Sequence, residues 1–330
     1  MELPAALRDA IDGLAARIPA RALAERAAAL SSDYRELDGG ATTRLVPDPE
    51  TAAAYAVVRM PATFAAVAAA MDMVAEALPD WSPDSLLDAG AGPGTAAWAA
   101  AERWPGISRM TLCEPEPHMA AAGRELASHA SVPGLSGAQW RTDDVRRIEP
   151  MEPFSLVVSS YMLGELSEED AAAAVDRLWV MTRDVLLLVE PGTPERFGRM
   201  RRLRDRLVQR SDTHLIAPCP HEGDCPMRDG DWCHFSQRIA RSGLHRQLKA
   251  AELGYEDEKY CCLALARQPG VPCGARVLRH PFRGKKLIRL DLCTPQGYVV
   301  RTVTKGKNPD FYRTARDLAW GDAVENLPER

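Results

Sequence analysis

The stretch SLLDAGAGPGTAAWAAAERW, residues 85–104, decides the fold of this chain. It is typical of a short apolar strand, a glycine-rich turn over DAGAGPG and a helix that begins directly after the turn. Glycine lets the backbone approach a ligand closely, and the first turn of a helix offers N–H groups that have no intrahelical partner. The segment therefore predicts a strand–turn–helix unit that binds a nucleotide-like ligand.

The residues after this unit continue the alternation of strands and helices. Strands are predicted over RMTLCEP (109–115), AQWRTDDV (138–145), FSLVVSSYML (154–163) and DVLLLVEPG (184–192), with helices between them. This succession predicts an α/β fold with a doubly wound, Rossmann-like sheet. Residues 1–80 are predicted to be helical. Residues 81–268 are predicted to form the α/β domain with a cysteine-rich insertion at about 214–247, and residues 269–330 a small β module.

The composition is that of an ordinary globular protein and argues against several classes. Hydrophobic residues make up 46% and charged residues 26%, and the net charge is −5, so a nucleic-acid surface would be local and no DNA partner is expected. No apolar run approaches the roughly 20 residues of a membrane span, so no membrane partner is expected. No signal peptide is recognisable, and we expect a cytoplasmic protein. Its eight cysteines then predict metal ligands or buried thiols rather than disulfides.

The glycine turn has the order D-x-G-x-G-x-G, which resembles motif I of class I S-adenosylmethionine-dependent methyltransferases. In such a fold a carboxylate after the second strand can accept the ribose hydroxyls, and one after the third strand can accept the adenine amino group. The resemblance implies these cofactor-binding residues: Asp88, Gly90, Gly92, Gly94, Glu114, Asp143, Asp144 and Ser160. The alternative interpretation of the motif is a nucleotide-type turn in another kind of α/β protein. For either aspartate, the alternative is an exposed helix cap.

Catalytic groups are harder to assign. The fourth strand ends in SSYMLGEL rather than in the Asn/Asp-Pro-Pro-Tyr element that holds an amine for N-methylation, and no cysteine on the fourth or fifth strand is placed for attack on a pyrimidine. Glu165 and Glu190 are candidate general bases, although a carboxylate after a strand is as often a capping or packing residue. The sequence therefore predicts cofactor binding and leaves the catalytic residues unassigned.

Three cysteines lie close together in a segment rich in proline, glycine and aspartate. Cys219, Cys225 and Cys233 have the spacing C-x5-C-x7-C. Thiolates at this density suit a metal centre that replaces an apolar core. The wide intervals favour an iron–sulfur cluster over zinc, because structural zinc is usually held by C-x2-C pairs. Zinc, with His221 or His234 as a further ligand, is the alternative.

The fourth ligand has to come from elsewhere in the chain. Cys293 ends an alternating strand just before a turn, which favours it over Cys273. Cys261 and Cys262 lie in the apolar segment YCCLALA, where buried thiols are the simpler interpretation.

Several segments together are similar to one family: DAGAGPGT, CEPEPHM, VVSSYMLGEL, VEPGTPERF, HLIAPCPHEGDCPM, WCHFSQR and ARDLAWGD. They resemble the methyltransferase-like family that includes the mitochondrial small-ribosomal-subunit assembly protein and its bacterial relatives, over nearly the whole chain from about residue 30. The resemblance implies a class I methyltransferase fold, S-adenosylmethionine binding and association with small-subunit ribosomal RNA. It also implies a 4Fe–4S cluster on Cys219, Cys225, Cys233 and Cys293, and action partly or wholly as an assembly factor.

An arginine-rich helix precedes the cysteine segment. Arginine forms forked bonds to phosphate, so several arginines on one helix predict a salt-sensitive contact with RNA; a solvated helix face is the alternative. The arginines predicted for this contact are Arg199, Arg201, Arg202 and Arg204. A second basic group in the β tail comprises Lys285, Lys286, Arg289, Arg301, Lys305 and Lys307.

Two functions of different classes fit these features. The first is an S-adenosylmethionine-dependent methyltransferase acting on small-subunit ribosomal RNA. The second is a non-catalytic RNA-binding factor for ribosome assembly or translation that uses the methyltransferase fold as a scaffold. A small-molecule methyltransferase is a weaker third possibility, and the sequence does not predict an oligomeric state.

Overall fold

The computed structural model describes residues 1–36, 46–228, 230–271, 273–325 and 327, without the side chains of 31–36. The chain forms two compact units. The first comprises Met1–Asp72, Trp81–Glu190 and Gln237–Glu258, and the second comprises Met73–Asp80, Pro191–Ser236 and Lys259–Arg330. The sequential division into domains at about residues 80 and 268 stays a prediction.

The N-terminal region is helical because alanine-rich segments carry apolar residues at helical spacing. Its helices are α1 Ala5–Ala16, α2 Ala20–Glu36, α3 Pro49–Val58 and α4 Met60–Ala77. Asp48 caps α3 by accepting a hydrogen bond from Thr51 N at 2.8 Å. By length and composition α4 could cross a membrane, but 78% of it is buried within the structure, as in the core helix of a globular protein.

The first unit contains a parallel sheet. Its strands are β1 Ser85–Ala89, β2 Arg109–Cys113, β3 Gln139–Arg141, β4 Phe154–Ser160 and β5 Thr182–Pro191. They lie in the order β3-β2-β1-β4-β5, and each neighbouring pair is parallel. The helices α5 Thr95–Arg103, α6 Pro117–Ser128, α7 Pro133–Ser136 and α8 Glu168–Val180 connect the strands. The predicted α/β class is confirmed, and this order reverses at β1 and β4, where doubly wound folds bind their ligands.

The chain then passes between the two units. Helix α9 Pro194–Leu207 and strand β6 His214–Ala217 belong to the second unit. Strand β7 Phe235–Ala240 is connected by α10 Gly243–Leu248 to its partner β8 Tyr255–Ala266. The last part of β8 pairs antiparallel with β6.

The C-terminal residues form the predicted β module. Its elements are β9 Ala275–Val277, β10 Phe282–Gly284, β11 Leu287–Thr294, β12 Gly297–Thr304, α11 Pro309–Asp317 and β13 Ala323–Val324. The strand order is β10-β11-β9-β13, with β12 also paired to β11. Alternate β11 residues, Ile288, Leu290 and Leu292, face an apolar core that includes Ala315 of α11. One face of this sheet is therefore covered by α11.

Candidate cofactor site and cysteine cavity

Three glycines with left-handed backbone shape the turn after β1. Their φ angles are +75° at Gly90, +54° at Gly92 and +83° at Gly94, a region that L-residues rarely adopt. The N–H groups of Gly90 and Ala91 donate to the Cys113 carbonyl at 2.9 and 3.0 Å, which ties the turn to the end of β2. Gly94 is the N-cap of α5. The turn therefore places a helix N-terminus at the carboxyl end of β1.

Two buried carboxylates support the turn. Glu114 follows β2 and accepts hydrogen bonds from Gly92 N at 2.7 Å and from Glu116 N at 2.8 Å, one on each oxygen. Burial raises the pKa of Glu114. Asp88 is fully buried and accepts from Ala97 N at 3.2 Å. Burial raises the pKa of Asp88 to about 7, and the nearby Glu114 carboxylate adds to the shift.

The two carboxylates consequently have different roles. Asp88 holds the first turn of α5 through one carboxylate oxygen, and its other oxygen, Oδ1, is buried without a hydrogen-bond partner among the described residues, so its predicted contact with a cofactor stays a prediction. Each Glu114 oxygen has a second lone pair, so this carboxylate can still accept ribose hydroxyls.

The remaining predicted cofactor residues lie at the ends of β3 and β4. Asp143 is ion-paired with Arg141. Asp144 is ion-paired with Arg146 and also accepts from Arg146 N at 2.8 Å. The hydrogen bond from the Arg146 side chain lowers the pKa of Asp144. Ser160 is half-buried at the end of β4. Either aspartate would have to share its oxygens with an arginine in order to bind an adenine amino group.

Sequence reasoning missed two side chains that contact the turn. Met162, just after β4, lies against Gly90, since a β-carbon at Gly90 would be 2.6 Å from Met162 Cγ. Trp140 of β3 lies against Gly94, where a β-carbon would be 3.4 Å from Trp140 Cη2. The same indole leaves no room for a β-carbon at Gly123 of α6. A glycine inside a predicted helix marks such a close approach, so Gly123 was the available signal.

The region after β4 also carries the groups considered for catalysis. Tyr161 has a φ of 57°, and its hydroxyl donates to Glu258 at 2.9 Å. Glu190 is buried, and its two oxygens accept from Leu163 N at 2.9 Å and Gly164 N at 3.1 Å. Glu190 therefore caps a short turn, which is the structural alternative to a general base.

The cysteine segment lies in the second unit. Cys219, Cys225 and Cys233 line one cavity together with Cys293 of β11. The cavity has a volume of about 50 Å³, more than a single water molecule requires. Cys273 is not among the described residues that line it, and its sulfur lies 3.9 Å from Arg276 Nη2 instead. The four predicted ligands therefore line the same cavity, and their role as metal ligands stays a prediction.

These four thiols are close enough to interact electrostatically. Burial raises the pKa of Cys233 well above its ordinary range, and Cys219, Cys293 and Cys225 raise it further. Burial, with Cys219 and Cys225, raises the pKa of Cys293 to about 12. Cys293 Sγ also lies 3.6 Å from His221 Nε2. A cation bound among the sulfurs would offset the repulsion that four thiolates otherwise experience.

Among the described residues, no group of three or more His, Cys, Asp or Glu side chains is placed so that it could hold a metal ion as the side chains stand. Cys261 and Cys262 of β8 line the same cavity and are buried. Cys262 Sγ lies 3.9 Å from Met73 Sδ. His234 is stacked on Trp232, with ring centroids 5.0 Å apart. The donor types present, thiols with the His221 imidazole beside Cys293, are those of a thiolate-bound centre.

The arginines of α9 have different surroundings. Arg199 and Arg204 are buried, so the structure does not place these two on a surface that RNA can reach. Arg204 Nη2 donates to the His221 carbonyl at 3.2 Å, which holds the cysteine segment against the helix. Arg201 is half-buried, and Arg202 is exposed. The predicted RNA contact of α9 is accordingly restricted to its outer face.

Comparison with protein families gives one match over most of the chain. Residues 49–325 match the family described as mitochondrial small ribosomal subunit Rsm22. The human mitochondrial ribosome assembly protein METTL17 is 29% identical over 292 residues, which are 83% of this chain and 62% of that protein. The Rsm22-cox11 tandem protein 2, mitochondrial, of Schizosaccharomyces pombe is 24% identical over 85% of this chain and 44% of its own length. The chain thus spans less than two thirds of these curated relatives.

Solved structures similar to this chain include methyltransferases. The magnesium protoporphyrin IX methyltransferase of Synechocystis PCC 6803, with bound S-adenosylmethionine, has a TM-score of 0.41 and 13% identity over 72% of this chain and 90% of that one. A putative S-adenosylmethionine-dependent methyltransferase of Methanococcus maripaludis has a TM-score of 0.42 and 14% identity over 55% and 93%. Because these scores are low, the fold assignment depends on the strand order described above.

The same comparison corrects the predicted location. The matching family is mitochondrial by its description, and the human and fission yeast relatives are mitochondrial proteins. The cytoplasmic prediction is therefore wrong. It depended on the absence of a recognisable targeting pattern in the sequence, which is a negative observation.

Proposed function

The chain belongs to the Rsm22 family of mitochondrial small ribosomal subunit proteins, and from this premise we propose that it acts in assembly of the small ribosomal subunit as an S-adenosylmethionine-binding, iron–sulfur-containing protein that contacts the ribosomal RNA. The observation that carries the proposal is the cavity that Cys293 lines together with three cysteines 60 or more positions earlier in the sequence. Local packing alone does not require four thiols from such distant segments to share one cavity.

S-adenosylmethionine binding is supported by the turn after β1. The α5 N-terminus lies at the switch point of the sheet, and Glu114 lies at the end of the adjacent strand β2 with lone pairs available for two ribose hydroxyls. When bound, this cofactor supplies an electrophilic methyl group. The chain's own residues would bind the adenosine part and orient it over the ends of β1 and β4.

Calorimetric titration with S-adenosylmethionine tests this site. Replacing Glu114→Gln removes the charge that favours the ribose contacts, and we expect an affinity loss of roughly 10-fold or more, since a hydrogen bond to a charged group contributes about 1.5–3 kcal/mol. Glu102→Gln, an exposed change on α5, is the matched control. Equal affinities of both variants and the parent chain would exclude Glu114 from the site.

The cluster is supported by the donor set and by its surroundings. The raised pKa values of Cys219, Cys233 and Cys293 make these thiols costly to ionise in the absence of a cation, and a 4Fe–4S cluster uses four thiolates. When bound, the cluster would supply a covalent link between the cysteine segment and β11. Zinc held by three cysteines and His221 is the alternative, given the 3.6 Å between His221 Nε2 and Cys293 Sγ.

Anaerobic purification followed by iron, sulfide and zinc analysis separates these two centres. We expect about four irons and four sulfides per chain, with broad absorption near 400 nm as thiolate-ligated clusters generally have. Cys293→Ser should lower the iron content, whereas Cys273→Ser should leave it unchanged. One zinc per chain without sulfide would refute the cluster, and iron loss in the Cys273 variant alone would reassign the fourth ligand.

Methyl transfer to ribosomal RNA is a second candidate activity. It is favoured by Tyr161, whose left-handed backbone lies directly after β4, because such conformations often occur at functional sites. Against it, Glu190 uses both oxygens as a cap. Methylation maps of small-subunit RNA from cells with and without the gene decide the point. An unchanged map together with defective subunit assembly would leave the non-catalytic role.

A further inference from the structure

One face of the C-terminal sheet is uncovered over part of its length. Antiparallel registers place Arg289 of β11 opposite Phe282 of β10 and Thr302 of β12. Because side chains alternate along a strand, these residues share the face opposite to the Ile288 core. Phe282 is 55% exposed, and Arg289 and Thr302 are exposed as well. The outer face therefore presents an aromatic ring, a guanidinium and a hydroxyl side by side.

The Phe282 ring is held across the sheet surface. Its Cε1 would lie 3.3 Å from a β-carbon at Gly284, so the ring extends over the glycine. The Arg289 guanidinium carbon is 5.5 Å from the ring centroid, in a cation–π contact. Val300, 51% exposed, belongs to the same face, since it opposes Asp291, two residues from Arg289. Phe282 and Val300 therefore lie on one exposed face of the sheet, with the cationic Arg289 side chain against the ring.

Positive charge surrounds this platform, which we define as Phe282, Arg289, Val300 and Thr302. The exposed lysines at its edge are Lys285, Lys286, Lys305 and Lys307. Lys305 N donates to the Lys286 carbonyl at 3.2 Å, which places the two lysine-bearing segments next to each other. The carboxylate on this face, Asp291, accepts a hydrogen bond from the Tyr298 hydroxyl. The edge thus carries net positive charge beside an aromatic ring.

The other end of the same face is covered by the cysteine segment. Cys293 opposes Tyr298, and both lie in the row that contains Asp291 and Arg289. Met227 and the half-buried Cys225 and Cys233 pack at this end. Four residues of a strand span about 13 Å, so the covered end lies about that far from Arg289. The cysteine segment therefore stops short of the platform and leaves it accessible.

We propose that the platform binds a single-stranded segment of RNA, with a base stacked on Phe282 and the flanking phosphates held by the lysines of the edge. Aromatic rings beside cationic side chains are how sheet surfaces bind unpaired nucleotides, because every base has a face that can stack. A duplex would not expose its bases to this ring. The inference rests on the proposed RNA partner and assigns the contact to a defined surface.

Fluorescence anisotropy with a labelled 12-nucleotide uridine-rich RNA, using the full metal-loaded chain, tests the platform. Phe282→Ala should weaken binding about 5-fold or more, because stacking contributes about 1–3 kcal/mol per base. Phe282→Trp should retain the affinity of the parent chain, which a merely structural defect would not allow. Leu253→Ala, which removes a side chain that is 56% exposed in the first unit, is the matched control.

The salt dependence provides a second readout. Replacing both Lys285 and Lys286 by Ala should reduce the slope of log affinity against log salt by about 1.4, since each phosphate contact on a single strand contributes about 0.7. If the parent chain binds RNA and Phe282→Ala behaves like the control, the platform is refuted while the RNA partner remains. If the parent chain binds no RNA, both proposals fail. If only association with ribosomal particles is lost, the face binds protein, and the inference is wrong.

Discussion

Replacing Gly90→Ala should destabilise the first unit more than Gly92→Ala, although both glycines have positive φ. The left-handed backbone costs an alanine about 1–2 kcal/mol at either position. At Gly90 the new β-carbon would also lie 2.6 Å from Met162 Cγ and 3.0 Å from Met162 Cβ. The Met162 β-carbon is fixed by the backbone and the γ-carbon moves only if the side chain leaves its rotamer, so the overlap adds about 1–3 kcal/mol. At Gly92 the nearest contact would be an ordinary 3.6 Å to Met119 Cε.

Urea unfolding followed by tryptophan fluorescence measures the difference between the two variants. We expect the Gly90 variant to lose about 2–5 kcal/mol and the Gly92 variant about 1–2 kcal/mol, at unchanged slope. In a Met162→Ala background the Gly90 penalty should fall only in part, because the β-carbon contact remains. Equal destabilisation of the two variants would show that Met162 does not restrict the turn, and the packing described for it would be wrong.

Three further changes test other parts of the site. Arg204→Met should destabilise the second unit by about 1–3 kcal/mol, because the His221 carbonyl loses a charged donor. The control Arg202→Met, at an exposed position, should change the free energy of unfolding by less than about 0.5 kcal/mol. Equal effects would refute the role of Arg204 in holding the cysteine segment against α9. The raised pKa of Asp88, about 7 against 3.8, means that the contribution of Asp88 to stability falls as pH rises from about 4 to 7, by at most about 4 kcal/mol. Urea titrations at several pH values should show that the difference in stability between Asp88→Asn and the parent chain changes in the variant's favour over this range. Glu190→Gln should cost about 1–3 kcal/mol in thermal or urea unfolding, since the amide nitrogen that replaces one carboxylate oxygen cannot accept from the backbone donor facing it. An unaffected fold would reopen the general-base assignment.

The sheet of the first unit could be predicted from sequence because its signals are local. A buried parallel strand appears as a short apolar run, and DAGAGPG combines the three positive φ angles with a helix start. The β module was equally visible, since β11 alternates apolar and polar residues over Leu287–Thr294. In each case the pattern and the structure it specifies lie within about ten residues of each other.

The surroundings of individual side chains could not be predicted from the sequence in the same way. Arg199 and Arg204 look like surface residues in a cationic helix, yet both are buried. The segment that covers Arg204 comes 17 residues later and has few apolar residues to reveal the contact. The sequence motif suggests that Asp88 contacts a ligand, but its carboxylate accepts a hydrogen bond from α5, and this contact depends on the geometry of the turn between them. Composition indicates charge, whereas burial is set by contacts distant in sequence.

The attachment of the cysteine segment gives a physical reason for a metal centre. Among the described residues 218–228 and 230–234, no helix or strand is present, so the segment has no regular backbone pairing of its own. Its apolar anchor is small, with Met227, Leu278 and Cys293 as the buried members of the cluster. Burying so few side chains offsets the backbone entropy of ordering only a few residues, at about 1–2 kcal/mol each. Arg204 adds hydrogen bonds to two carbonyls of the segment, those of His221 and Gly223. Coordination of four thiolates by one centre would fix both ends of the segment and β11 at once, which is why we expect iron loss to loosen this segment before the parallel sheet.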